Sequence, residues 1–453
     1  MSPFLRHLRR LVGLAVPVVA SQVGMMTFWL VDLLMLGRVG VEALDAASLG
    51  RTWIMGTFIF AMGLLLGIDP LATQAVGAGD RARLARALAH GLALALLTSL
   101  PVTLLWLGTE PALRLFGQPP HLAGTAHLYV LVQIPGLPFL LAFTALKQVL
   151  QARGVVYPAM WVTLLGNGFN ALVNWILIFG GLGIPALGIV GAGIGTCLTE
   201  VLLFLALYAW ARARGLLPAP AGRLLRDGFE PSGLREVCRY GAPVSLQLGL
   251  EMWTFQIATL MAGRLGEVPL AAHTVALTLA SATFMLPLGI SLAAVVRVGN
   301  LAGAGQPAEA QRAAWTALSL GGAVMVVSAI AFWWGRWWLP TLFTSEPAVV
   351  SLAAAILPVA AAFQIFDGLQ VVGGGVLRGV GQTRPAAVFN LIGYYLLALP
   401  LAWWLGFERG LGVRGIWWGL FLGLAAVALL LVAWIARYGP GRGLLPSVGR
   451  GRG

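Results

Sequence analysis

The sequence predicts an all-α membrane protein: twelve transmembrane helices in two six-helix lobes, related by a pseudo-two-fold axis along the membrane normal. Three observations predict it. Hydrophobic residues make up 59% and charged residues 10% of 453 positions, where soluble domains carry about 25% charged residues. Apolar runs long enough to cross a bilayer as helix recur between short arginine-bearing segments. The second half of the chain repeats the first.

The runs are read in order. They fall near 11–36, 46–69, 88–108, 125–146, 157–180 and 187–211 in the first half. The second half adds 238–262, 271–296, 312–335, 349–371, 385–406 and 414–436. The basic start MSPFLRHLRRLVGLAVPVVA resembles a signal peptide, but its apolar run continues to Leu36, too long for a cleaved segment. It is read as a retained first span, interrupted by Pro17 and Asp32. Residues 212–237 are the most charged stretch, with Arg212, Arg214, Arg223, Arg226, Asp227, Glu230, Arg235 and Glu236. This gives an N-lobe over 1–211, a cytoplasmic linker over 212–237, and a C-lobe over 238–453 that ends in a short tail.

Placing the N-terminus inside puts 22 of the 29 basic residues, Arg450 and Arg452 among them, on the cytoplasmic side and 7 outside. That bias follows the positive-inside rule, so both termini are expected in the cytoplasm. The net charge of +13 is read as topology signal and contact with anionic membrane lipid, not as nucleic-acid binding.

A shift of 226 residues carries Pro17 onto Pro243, Gly37 and Arg38 onto Gly263 and Arg264, and Gly63 onto Gly289. It also carries Gly77-Ala78-Gly79 onto Gly303-Ala304-Gly305. Each half holds an even number of spans, so the two halves run in the same direction. That is the arrangement of transporters that move one bundle against another.

Charges inside spans are costly and mark function. Asp32, Glu251 and Asp367 stand away from span ends. Under the shift, Asp32 and Glu251 lie seven residues apart on nearly one face of equivalent helices. Both are expected to face the space between bundles. Asn167, Asn170 and Asn174 recur near one face of the fifth span, where they either donate to Asp32 or hold helices together. Gln364 precedes Asp367 by three residues and is placed in the same site. Asp69 reads as helix-end structure, and Glu200 as a partnered or snorkelling acid. Cys197 and Cys238 form neither a disulfide framework nor a metal motif. Lys147, the only lysine, belongs to no P-loop, and no HExxH occurs. The chain therefore reads as a transporter driven by an ion gradient, not as an enzyme.

At this point the chain resembles the multidrug and toxic compound extrusion (MATE) family, its NorM-like branch. The resemblance is carried by LAVPVVASQVGMMTFWLVDLLMLGRVG, GLLLGIDPLATQAVGAGD and LGNGFNALVNWILIFG. GAPVSLQLGLEMWTFQIATLMAGRLG and FDGLQVVGGGVLRGVGQTRP complete it. It implies antiport of drugs and organic cations against sodium ions or protons, by a monomer in a bacterial inner membrane and without a cofactor. It places the cation or proton site on Asp32, Glu251 and Asp367, with sodium at Glu251 and Asp367. Asn170, Asn174 and Thr196 are implied as polar residues of the cavity. Phe363 stands where some members carry a tyrosine, which leaves the coupling ion open. The alternative is a flippase for a lipid-linked sugar or lipid. That would need a groove lined with arginine, and the arginines here fall in loops.

Overall fold

A computed structural model describes residues 2–217 and 219–442. Pro218 of the expected linker, and Arg450 and Arg452 of the expected tail, lie outside the described residues. Among the described residues the chain is helical, with one isolated bridge between Gly181 and Ile184. The first half holds α1 (Pro3–Leu36), α2 (Val41–Leu65), α3 (Ile68–Gly77), α4 (Arg81–Leu107), α5 (Thr109–Leu115), α6 (Pro120–Leu131), α7 (Leu137–Ala152), α8 (Tyr157–Phe179) and α9 (Gly188–Ala213). The short α10 (Ala221–Gly228) leads into α11 (Pro231–Arg264). There follow α12 (Glu267–Gly303), α13 (Pro307–Gly335), α14 (Pro347–Gly379), α15 (Thr383–Asn390), α16 (Leu399–Trp403) and α17 (Gly412–Tyr438). Two π-helical stretches, Leu391–Ala398 and Trp404–Glu408, flank α16 and keep the eleventh span continuous.

Among the described residues, ten helices are long and apolar enough to cross a membrane. The other two expected spans depart from that criterion for physical reasons. In α11, the polar Gln247, Glu251 and Gln256 dilute the apolar run. The fourth span, expected as one helix over 125–146, is broken between α6 and α7. Pro135 has no N–H for the carbonyl of Leu131, and Pro138 has none for that of Ile134. Those two carbonyls instead accept tight bonds from Ile134 and Leu137, at 3.1 and 3.3 Å.

Packing divides the described chain into two compact units. The N-terminal unit takes Ala20–Ala75 and the described residues of Asp80–Ser245. The C-terminal unit takes the residues up to Val19, Val76–Gly79 and those from Leu246 onward. The breaks in α1 and α11 therefore fall two residues after Pro17 and Pro243, the interior prolines of the two helices. A proline inside a helix removes one backbone bond and kinks the helix.

Glycines mark the closest contacts within each unit. A Cβ on Gly63 of α2 would strike the backbone of Ser245 on α11, inside the N-terminal unit. A Cβ on Gly289 of α12 would strike Val19 on α1, inside the C-terminal unit. Each of these pairs is the other moved by the 226-residue repeat. Ser245 Oγ also donates to the carbonyl of Phe60 at 2.7 Å. Small residues at such crossings let backbones approach where lipid supplies no hydrophobic drive. In the C-terminal unit the same rule buries Ala293, Ala294, Ala313, Ala314 and Ala317 together with Leu11 and Ala15 of α1.

Candidate functional site: two buried carboxylate centres

The N-terminal unit builds its centre from three helices. Asp32 on α1 is 2% exposed, and Asn170, Asn174 and Thr196 are fully buried. Asn170 and Asn174 stand one turn apart on α8, and Thr196 comes from α9. The Asn174 amide donates to one oxygen of Asp32 and to the Asn170 Oδ1, the latter at 3.2 Å. Thr196 Oγ1 donates to the other Asp32 oxygen at 3.0 Å. Gly195 makes room, because a Cβ there would collide with the Asn174 Oδ1. Arg51 of α2 acts electrostatically on Asp32 and lies 5.1 Å over the Trp29 ring. Of the two readings open for the asparagines, Asn174 takes the first, donation to Asp32. Asn167 takes the second, donating to the carbonyl of Gly24 on α1 at 2.8 Å.

The C-terminal unit builds a second centre. Glu251 on α11 receives the Gln370 amide at 3.1 Å and the Asn390 amide at 3.5 Å. Asp367 lies one turn before Gln370 on α14, is 5% exposed, and feels the charge of Glu251. Tyr394, at the π-helical stretch after α15, is fully buried and feels the charge of both acids. Local π-helix often marks functional sites. An aromatic cluster walls the centre: Phe255 lies 6.1 Å from Phe363 and 6.3 Å from Tyr394, and Phe363 lies 5.9 Å from Trp417. Gln364 turns elsewhere, donating to Thr283 Oγ1 at 2.7 Å.

Among the described residues, the Asn174 Oδ1 and Asn170 Nδ2 of the first centre and the Gln370 Oε1, Asn390 Oδ1 and Tyr394 hydroxyl of the second are buried without a hydrogen-bond partner. Buried polar groups seldom remain unpaired. A shell of carboxylate, amide and phenol oxygens is the donor set for a hard cation or a proton, so these residues fit sodium as cargo.

Sequence reasoning passed over Gln370, Asn390 and Tyr394. Gln370 carried a usable signal, since it stands one turn after Asp367 on the same helix. Asn390 and Tyr394 carried none, because a polar residue in a span is equally a helix-to-helix contact.

Two bundles of membrane-crossing helices, each around a buried acid with orphan acceptors, define a membrane transporter and not an enzyme. The MatE family model matches residues 17–176 and 243–404. The chain belongs to that family, the multidrug and toxic compound extrusion transporters. It is 39% identical over 425 residues to a protein of Bradyrhizobium diazoefficiens named a probable multidrug resistance protein NorM, covering 92% of this chain and 91% of that one. It is 35% identical to the multidrug resistance protein NorM of Burkholderia vietnamiensis, covering 95% and 93%. Among solved structures it superposes on the eukaryotic MATE transporter AtDTX14 with a TM-score of 0.89 at 26% identity, over 97% of this chain and 98% of that one. An outward-facing MATE family transporter of the MOP superfamily superposes with a TM-score of 0.84 at 21% identity, over 94% and 95%, a likeness of fold alone.

Proposed function

We propose that this chain is a multidrug efflux antiporter of the bacterial inner membrane, with both termini cytoplasmic. It exports cationic or amphiphilic organic compounds in exchange for sodium ions or protons. The names of its relatives support the substrate class. The observation that carries the coupling is the pair of acids, part-buried Glu251 and buried Asp367, beside amide and phenol oxygens that have no hydrogen-bond partner among the described residues. Burial disfavours an unpaired charge, so each acid favours a state with a positive passenger. A drug cation and a coupling ion that need the same carboxylate exclude one another. Mutual exclusion at one site links their movements. The drug arrives from the cytoplasm, meets an ionised carboxylate beside the Phe255 and Phe363 rings, and leaves when sodium or a proton takes its place. Sodium is ligated by oxygens of the Asp367 and Glu251 centre; a proton needs only the carboxylate.

The test is efflux of tetraphenylphosphonium from proteoliposomes under an imposed sodium or proton gradient. Glu251→Gln and Asp367→Asn are expected to reduce gradient-driven efflux to background while the protein still inserts and elutes as a single species. Undiminished efflux in the doubly substituted protein would overturn the assignment. The gradient that drives the wild type identifies the coupling ion.

A further inference from the structure

The two units hold unlike pairs of acids in a parallel arrangement. In the C-terminal unit, Glu251 is held by two amide donors. No hydrogen bond among the described residues reaches Asp367. In the N-terminal unit, Asp32 is held by Asn174 and Thr196. Glu200 stands on α9 one turn beyond Thr196. It is 6% exposed, and again no hydrogen bond among the described residues reaches its carboxylate.

Glu200 also lines a cavity. Met25, Phe28 and Trp29 of α1 and Thr163 and Asn167 of α8 face it there. The polar lining groups are engaged elsewhere: Thr163 Oγ1 accepts from Ser21 and donates to Ala159, and the Asn167 amide donates to Gly24. On its far side the carboxylate abuts Gly136, where a Cβ would collide with Glu200 Oε2. Gly136 closes the turn that breaks the fourth span between α6 and α7. Irregular backbone at membrane depth is tolerated where it is buried in protein or lines a cavity, and broken helices frame ion sites in transporters. Asp32 on α1 acts on Glu200, and Glu200 in turn acts on Tyr129 of α6 and Cys197 of α9. None of them is cationic. A carboxylate with neither donor nor counter-charge in such a place favours a positive occupant.

The size of the cavity selects the occupant. Its volume is about 10 Å³ and its lining is mostly apolar, at the lower limit for one water, so it has no room for a drug and offers a metal ion no second ligand. We propose that Glu200 is a proton site of the N-terminal unit, separate from Asp32. This rests on the antiport reading above for its role in coupling. Each unit then carries one acid held by side-chain donors and one that no hydrogen bond among the described residues reaches.

The experiment counts small cations on purified wild-type protein and on Glu200→Gln. One arm measures ²²Na⁺ bound at equilibrium. The other measures proton uptake by back-titration across the carboxylic-acid range. Glu200→Gln is expected to lose one proton per molecule in the titration arm and to keep the wild-type sodium count. Glu200→Asp, which keeps the carboxylate, is expected to hold the wild-type count, and Glu200→Gln with Asp367→Asn to lose two. An unchanged proton count for Glu200→Gln would overturn the proposal, leaving Glu200 as a permanently protonated packing residue, and a lost sodium ion would overturn it in favour of a metal site. If Glu200→Gln does not fold, Gly136→Ala, which pushes a methyl against the carboxylate, is read the same way. Absence of gradient-driven tetraphenylphosphonium efflux in the wild type would instead sink the antiport reading, and the cation count would still decide Glu200.

Discussion

Asp32 and Glu251 are each held by a pair of neutral donors, and the geometry of those donors is narrow. The Asn174 side chain reaches Asp32 only because Gly195 has no Cβ. Glycine to alanine in a helix is ordinarily favourable by about 1 kcal/mol. Here Gly195→Ala is expected to displace Asn174 and to lower transport as Asp32→Asn does, measured as efflux rate in proteoliposomes. Tyr394 offers a finer test. Its ring packs on Phe255 while its hydroxyl is buried without a partner beside two acids. Tyr394→Phe keeps the ring and removes one oxygen. A lost hydrogen-bond-strength contact is worth about 1.4 kcal/mol, so the half-saturating concentration of the coupling ion should rise about tenfold while that of the organic cation holds. An equal rise in both would place the hydroxyl on the drug's side of the exchange.

Helix crossings and breaks decide where those side chains stand. Gly63 against Ser245 and Gly289 against Val19 fix α2 to α11 and α12 to α1, and neither crossing has room for a methyl group. Gly63→Ala and Gly289→Ala are each expected to destabilise by about 1–3 kcal/mol, as overpacking does. Gly168→Ala, inside α8 where nothing lies within 4 Å, should instead stabilise by up to about 1 kcal/mol. Thermal unfolding followed by fluorescence-detected size exclusion separates the two outcomes. The broken fourth span is a matter of two missing N–H groups. Pro135→Ala with Pro138→Ala restores donors for Leu131 and Ile134, so α6 and α7 should join. Amide exchange across 131–138 is then expected to slow. Transport should fall as the turn beside Glu200 straightens; unchanged exchange would show that something other than the prolines holds the break.

At the scale of the whole molecule, charge and repetition set the topology. The 22-to-7 partition of basic residues predicts that both termini face the cytoplasm. A C-terminal green fluorescent protein fusion should therefore fluoresce, and an alkaline phosphatase fusion at the same point should be inactive. The reverse pattern would invert the whole assignment of inside and outside. Because each unit holds its own buried acids, loss of one centre should leave the other able to bind its cation. Asp32→Asn is thus expected to keep the cation count of the Glu251 and Asp367 pair even where transport is lost.

The sequence by itself determined the membrane class, the number of spans, the internal repeat and the three acids most exposed to suspicion, Asp32, Glu251 and Asp367. These follow from local quantities: hydropathy over one bilayer thickness, the cost of a charge within it, and glycine and proline recurring at a fixed shift. The partners of those acids lie 142 and 164 residues from Asp32, and 119 and 139 from Glu251. No periodicity spans such distances, so only helix packing could select Asn174 and Thr196, or Gln370 and Asn390, from the polar residues on offer. Gln364, which spacing placed with Asp367, turns to Thr283 because another helix supplies the nearer acceptor. The leading ends of α1 and α11 join the units they do because Gly63 and Gly289 admit a backbone there. Glu200 reads in sequence as one more partnered acid. That no donor among the described residues reaches it is a statement about every surrounding helix at once, and only the tertiary structure makes it.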